Sequence, residues 1–298
     1  MNFVSKYSHD MQAGRNHLEN YKTSIITTEY GPIEYIRRGS GFPLLISHGI
    51  TGGFDQGLSL ATTYIGGGYD TIAPSRFGYL GTPLPKDGNP KVQADAYKCL
   101  LDKLDIEKAI VFGNSAGGTS AIRFALQHPD RCEGLILLSS TVPPNPSMPP
   151  KPIMQMVFGF DFIYWLTVTV FGRLMLSMFL PRSVRDRLTG AEIRKIMQDI
   201  FKSAMPITKR TKGIINDMFV SNPDINTGYQ FDTITIPTLI IHDVHDPAAK
   251  FSGAESMAKQ IPNSRLERFE GGGHLLIGHE EIIKQLIQQF TNELLAHV

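Results

Sequence analysis

Three residues of this chain have the types, and the order, that nucleophilic catalysis requires: Ser115, Asp246 and His274. A serine hydroxyl is a weak nucleophile at neutral pH and needs an adjacent base, itself oriented by a third group. Ser115 stands in Gly113-Asn114-Ser115-Ala116-Gly117, after an apolar run at 108–112 that reads as a buried strand and before a helical pattern that opens at Gly118. That strand–turn–helix setting makes a G-x-S-x-G match a nucleophile elbow, a sharp turn that presents the hydroxyl at the sheet edge. The partners of such a serine follow as acid, then histidine. Residues 237–241 read as another buried strand, which empties into His242-Asp243-Val244-His245-Asp246-Pro247. Asp246 lies far enough past the strand for its carboxylate to turn back, whereas Asp243 is placed to cap the turn. An acid after the strand at 135–138 fails on composition, because Ser139-Ser140-Thr141-Val142 follows it. His274 ends the loop Glu270-Gly271-Gly272-Gly273, between a last strand at 264–269 and the C-terminal helix, and is the candidate base.

Acyl transfer also needs donors for an oxyanion. A strand at 43–47 leads into His48-Gly49-Ile50-Thr51-Gly52-Gly53, so the backbone N–H of Ile50 is one expected donor. The N–H of Ala116 is the other, at a helix N-terminus where the dipole helps. His48 reads as a hydrogen-bonding residue of its turn rather than a catalyst.

These groups depend on elements that must position them. Strands are predicted near 24–30, 33–37, 43–47, 69–73, 108–112, 134–139, 237–242 and 264–269. Helices are predicted near 90–103, 116–127, 252–260 and 279–296. From residue 43 onward the alternation demands a mainly parallel sheet covered on both faces. At 298 residues, 42% hydrophobic and 19% charged, the chain has room for one α/β domain with an insertion and an ordinary globular composition. Cys99, expected in the core, and Cys132 make no disulfide framework or metal pattern. The nine histidines lack zinc-ligand spacing, and there is no phosphate loop or dinucleotide fingerprint. No cofactor, metal or nucleic-acid partner is therefore expected. The first residues lack the apolar core and cleavage site of a signal peptide, so a cytoplasmic location is expected.

With His48-Gly49, the elbow at Ser115, the helix ending at His128-Pro129-Asp130-Arg131, Asp246-Pro247 and Gly273-His274, the chain resembles the α/β-hydrolase superfamily, in its serine-nucleophile, cap-bearing, esterase- or lipase-like branch. The resemblance implies a mostly parallel eight-stranded sheet with helices on both faces and a helical cap inserted after strand 6. It implies Ser115 as nucleophile, His274 as base, Asp246 as its orienter, and Ile50 and Ala116 as the oxyanion hole. A serine at the elbow argues against dehalogenase and epoxide hydrolase chemistry, for which this family uses aspartate there. One stretch departs from the family pattern: Ser75 and Arg76 stand near the usual aspartate after the fourth strand. Arg76 is either an anchor for its loop or a binder of an anionic substrate group.

The expected organisation is an N-terminal arm at 1–23, a core from 24–141 and 233–298, and a cap at 142–232. Almost a hundred residues between two strands are too many for a simple connection. They open with a proline-rich hinge at 142–152 and continue with an apolar run to residue 180 that holds the only tryptophan, Trp165. Asp161 and Arg173 interrupt this run, leaving it short of the roughly 20 residues of a membrane span. A cap over the site mouth fits better, with Phe162 and Trp165 as candidate substrate contacts in an apolar pocket. Between Arg182 and Lys212 nine basic residues face three acidic ones, a net +6 in a chain of net +1. Such a run suits a solvated face or attraction to an anionic membrane surface or substrate.

The expected activity is carboxylic ester hydrolysis through an acyl-enzyme, on a small to medium apolar acyl or aromatic ester. C–C bond hydrolysis, thioester hydrolysis and aminopeptidase action on the same triad remain open, as does a non-catalytic small-molecule receptor. The expected partners are a small-molecule substrate and peripheral membrane contact through the cap; the oligomeric state is not legible.

Overall fold

The apolar runs marked as strands become one sheet in the computed structural model, which describes residues 3–145 and 148–296. Among these residues the strands are β1 (Ser24–Thr28), β2 (Gly31–Gly39), β3 (Phe42–Ser47), β4 (Tyr69–Pro74), β5 (Ala109–Asn114), β6 (Cys132–Leu138), β7 (Thr238–Asp243) and β8 (Ser264–Phe269). Their order is β1-β2-β4-β3-β5-β6-β7-β8. Every pairing from β4 to β8 is parallel, while β1–β2 and β2–β4 are antiparallel. The helices are α1 (Phe3–Glu19), α2 (Phe54–Leu60), α3 (Pro90–Lys103), α4 (Gly118–Gln127), α5 (Lys151–Gly159), α6 (Asp161–Ser177), α7 (Arg182–Arg185), α8 (Gly190–Ile196), α9 (Thr211–Asn216), α10 (Asn222–Asp224), α11 (Phe251–Gln260) and α12 (Glu280–Leu295).

Because side chains alternate along a strand, the continuous apolar runs of the central strands feed two cores. Leu45, Val111, Leu137 and Ile240 join the core under α3, α4 and α11. Leu44, Ile110, Phe112, Leu138 and Ile241 join the core under α12, where Ile283, Ile287 and Phe290 form a helical stripe. Each such fully buried side chain contributes about 1.5–3 kcal/mol, which is why strands buried on both faces read as unbroken hydrophobic runs. The expectation of a mostly parallel eight-stranded sheet with helices on both faces is met.

β3 has β4 on one side and β5 on the other. The connections therefore diverge between β3 and β5, and a crevice opens there at the carboxyl ends of the strands, where ligands bind in open α/β sheets. The loops after β3, β5, β7 and β8 carry Ile50, Ser115, Asp246 and His274 respectively.

Residues 3–19, within the expected arm, form helix α1. Its partner is the insertion: Asp10 accepts hydrogen bonds from Trp165 Nε1 at 2.8 Å and from Lys202 Nζ at 2.6 Å. Gly14 permits the contact, since a Cβ there would stand 2.4 Å from the Met205 carbonyl oxygen. Met1 and Asn2 of the arm, Pro146 and Ser147 of the expected hinge, and His297 and Val298 lie outside the described residues. Cys99 is half-buried with its thiol 3.3 Å from Glu29, not in the core as expected.

Among the described residues no single helix is long and apolar enough to cross a membrane. The pair α5 and α6 passes that test together only across a bend of 97°.

Candidate active site

Ser115 has a φ of 47°, a left-handed conformation that a non-glycine residue adopts only where its surroundings compel it. Tight packing does so here. A Cβ on Gly117 would lie 2.2 Å from the Ser47 carbonyl oxygen, and one on Gly113 would lie 2.7 Å from Ala121 Cβ. The glycines of the elbow are thus required for close approach, while the serine itself takes the sharp bend. The turn also places the loop after β3 against the serine: a Cβ on Gly49 would lie 3.3 Å from Ser115 Cβ. Ile50 follows Gly49 in that loop, and Ala116 follows Ser115 at the start of the elbow helix.

His274 Nε2 lies 2.9 Å from Ser115 Oγ, and His274 Nδ1 lies 2.7 Å from Asp246 Oδ2. The second oxygen of Asp246 accepts the N–H groups of Ala248 and Ala249, at 2.7 and 2.9 Å. Burial alone would raise the Asp246 carboxyl. The positive charge available at His274 and hydrogen bonds from His242 and His274 outweigh it and hold the group well below the usual carboxylate range. An ionised Asp246 can only accept, so Nδ1 of His274 carries a proton and Nε2 is left to accept from the serine.

The other turn residues have separate tasks. Asp243 accepts the N–H of His245 and, through its second oxygen, that of Gly272, both at 2.8 Å. It ties the His274 loop to the end of β7. His242 went unremarked in the sequence because it lies inside a buried strand. Its Nε2 is 2.8 Å from the Ala249 carbonyl and 3.3 Å from Asp246 Oδ2, so it braces the acid from behind. His48 is wholly buried, accepts the N–H of Arg76 at Nε2, and lies 2.8 Å from the Gly49 carbonyl at Nδ1. Burial, then the charge of Arg76, keeps it neutral by pushing its pKa well below the usual histidine value.

Three expected substrate contacts are used elsewhere. Arg76 donates both terminal nitrogens to Asp217, whose carboxylate also accepts the Tyr79 hydroxyl. It is an internal anchor rather than an anion binder. Trp165 packs edge-on against Phe3 and Tyr7 of α1, and Phe162 does the same. The isolated sequence offered no partner for these rings, because α1 was not anticipated. The apolar contact at the site comes instead from Phe179, whose ring centroid is 5.7 Å from that of His274 and whose carbonyl accepts the His274 N–H. Ile50 and Leu275 join the same apolar cluster as the inner sides of α5 and α6. A cleft of about 560 Å³ between α1, α2 and residues 198–204 is lined by neither Ser115 nor His274.

Ion pairs of alternating polarity fasten the insertion to the body. Arg76 of the body holds Asp217 of the insertion, Arg210 of the insertion holds Asp55 of the body, and Arg123 holds Asp224. Arg210 also reaches the Gly52 carbonyl, in the loop that carries Ile50. Of the nine basic residues of the run, Arg210, Lys202, Lys195 and Arg182 have acidic partners.

Burial would raise the Asp55 carboxyl, but the Arg210 charge and His17 hold it well below the usual range. A group so depressed contributes stability that is fully present above its unfolded pKa of about 4 and is lost as pH falls through the folded value. Asp55→Asn strands the buried guanidinium and is expected to cost about 3–5 kcal/mol at neutral pH. Urea unfolding of both proteins at pH 7 and pH 3 checks this; the gap should narrow in acid. Equal midpoints at pH 7 would refute it.

A mostly parallel sheet carrying a serine–histidine–aspartate relay at its carboxyl edge is the architecture of α/β hydrolases. Residues 43–280 match the model of the alpha/beta hydrolase fold family. The chain belongs to that family and is a hydrolase of the alpha/beta fold. It is 28% identical over 265 residues to 2-hydroxymuconate semialdehyde hydrolase of Pseudomonas putida, covering 86% of this chain and 89% of that protein. It is 27% identical over 244 residues to pimeloyl-[acyl-carrier protein] methyl ester esterase of Aromatoleum aromaticum, covering 78% and 92%. Among solved structures, an alpha/beta hydrolase fold protein from Nakamurella multipartita aligns with a TM-score of 0.70 and 25% identity, over 92% of this chain and 98% of that one.

Proposed function

We propose that the chain is a serine hydrolase that cleaves an uncharged carboxylic ester through an acyl-enzyme. The observation that carries this reading is the continuous relay from Ser115 Oγ to His274 to Asp246, at 2.9 and 2.7 Å. Ser115 Oγ attacks the ester carbonyl carbon as His274 Nε2 takes its proton, and Asp246 stabilises the imidazolium. The N–H groups of Ile50 and Ala116 hold the oxyanion; each such donor is worth about 2.7–4 kcal/mol in the transition state. When the carbon–oxygen bond breaks, His274 returns its proton to the departing alcohol. Water then attacks the acyl-serine, gives a proton to His274, and leaves as the carboxylic acid once Ser115 regains its hydrogen.

The relatives include an ester-cleaving enzyme and a hydrolase of a muconate semialdehyde, an anion by its name. The charge pattern favours the ester. Arg76 and Arg210, both buried, are each held by a carboxylate, so neither offers a free charge to a substrate anion. Phe179, Ile50 and Leu275 give the site an apolar wall suited to an acyl or aromatic group.

Hydrolysis of p-nitrophenyl esters from acetate to palmitate tests the reading. Turnover with an optimum at short to medium chains is the expected result. A folded protein inert on every ester yet labelled by a fluorophosphonate probe would move the assignment to a C–C or amide bond. Absence of labelling as well would favour a receptor.

A further inference from the structure

The outer side of the insertion is unlike the rest of the surface. Among the described residues, ten of the thirteen exposed large apolar side chains lie on α1, α5, α6 or at their ends. Met156 and Phe160 project from the α5 side; Val170, Phe171, Leu174 and Met178 follow along α6, with Leu174 67% exposed. Their spacing from 170 to 178 is that of one helical face. The opposite faces are already committed, since Phe158, Trp165, Val168 and Leu176 are buried in the core of the insertion. α6 bends at Phe171, which leaves helical geometry with φ −107° and ψ 17° and turns its ring outward.

We propose that this α5–α6 face docks on an anionic lipid bilayer, lying in the interface rather than crossing it. The pair is apolar enough for a span, but its 97° bend and its buried inner faces leave only one side for lipid. The charges choose the occupant. Residues 151–182 carry Lys151, Arg173 and Arg182 against Asp161, and with Arg182 paired to Asp186 the face keeps Lys151 and Arg173. Asp161 is engaged by the backbone and hydroxyl of Thr208, at 3.0 and 2.9 Å. Arg173, exposed between Phe171 and Leu174, has no ion-pair partner among the described residues. A second copy meeting the same face would bring no free carboxylate to Arg173, because an isologous contact repeats one patch on both sides. Anionic headgroups supply that counter-charge while acyl chains receive the apolar side chains.

The face adjoins the site: Met178, at its end, precedes Phe179, whose carbonyl accepts the His274 N–H. Docking would present an ester from the interface to Ser115; that last step rests on the hydrolase reading, whereas docking rests on the surface alone.

Co-sedimentation with vesicles of equal parts phosphatidylglycerol and phosphatidylcholine, against pure phosphatidylcholine, tests it. The full chain should bind the anionic vesicles, more weakly at high salt. Phe171→Ser with Leu174→Ser should weaken binding at least about tenfold, as expected for two apolar side chains withdrawn from lipid. Arg173→Gln should weaken it about fivefold. Both variants alter exposed side chains and should keep wild-type turnover of soluble p-nitrophenyl acetate. Protein that stays in the supernatant with both vesicles overturns the proposal, as does undiminished binding of both variants. A lipid-free dimer that the double substitution dissolves also overturns it, in favour of a second copy. Vesicle binding by a protein with no ester turnover supports docking and removes only the ester reading.

Discussion

Ser115→Ala is expected to lower kcat/KM on the best ester by roughly 10⁶-fold, about 8 kcal/mol of transition-state stabilisation. The substitution removes only Oγ. Alanine meets the same backbone strain at φ 47°, and the packing of Gly113 and Gly117 is untouched, so folding should change little. What disappears is the one atom that can form the acyl-enzyme. His274 loses the donor at its Nε2 but keeps Asp246 at Nδ1. Residual activity of about 10³–10⁴ over water is anticipated, because the proposed oxyanion amides and the apolar wall remain to bind the transition state for direct water attack. Steady-state kinetics of purified wild-type and variant, with unfolding midpoints as the control, decide it. Undiminished turnover would assign the chemistry elsewhere.

The site and the fold were legible to different depths for physical reasons. The central strands, the elbow and the order serine, aspartate, histidine could be read because each is specified locally, by apolar runs and turn residues. The choice of Asp246 over Asp243 could be argued from distance along the chain, and the hydrogen bonds place Asp246 on His274. Arg76 and Trp165 were different. Their types suit ligand contact, yet their partners, Asp217 and Asp10, lie more than 140 residues away in the chain. Long-range pairs leave no local trace. Helix α1 hid for a related reason: its inward positions include Tyr7, Met11 and Gly14 among polar neighbours, a stripe that gains meaning only against α6 and Met205. Of the basic run, Arg210 and Lys202 form long-range pairs, with Asp55 and Asp10, that hold the molecule together, and the surface that asks for a partner is apolar.

Asp246→Asn should be nearly as damaging as loss of the serine, with kcat reduced about 10⁴-fold and the site otherwise intact. The reason lies in the surroundings of the side chain. Oδ1 accepts two backbone N–H groups, so the asparagine amide must leave its oxygen there and turn its NH₂ toward His274 and His242. The reverse orientation would face NH₂ against two donors. An NH₂ opposite Nδ1 forces that nitrogen to accept, and the proton moves to Nε2, where it points at Ser115. The histidine is then held in the tautomer that cannot take the serine proton. The same change at Asp243 removes an acceptor from His245 or Gly272 and should cost stability, about 1–3 kcal/mol, while leaving the tautomer correct. Measuring kcat and urea midpoints for both variants separates the roles. A large kcat loss in Asp243→Asn with a near-normal Asp246→Asn would reverse the assignment, because only the acid in contact with His274 can set which nitrogen carries its proton.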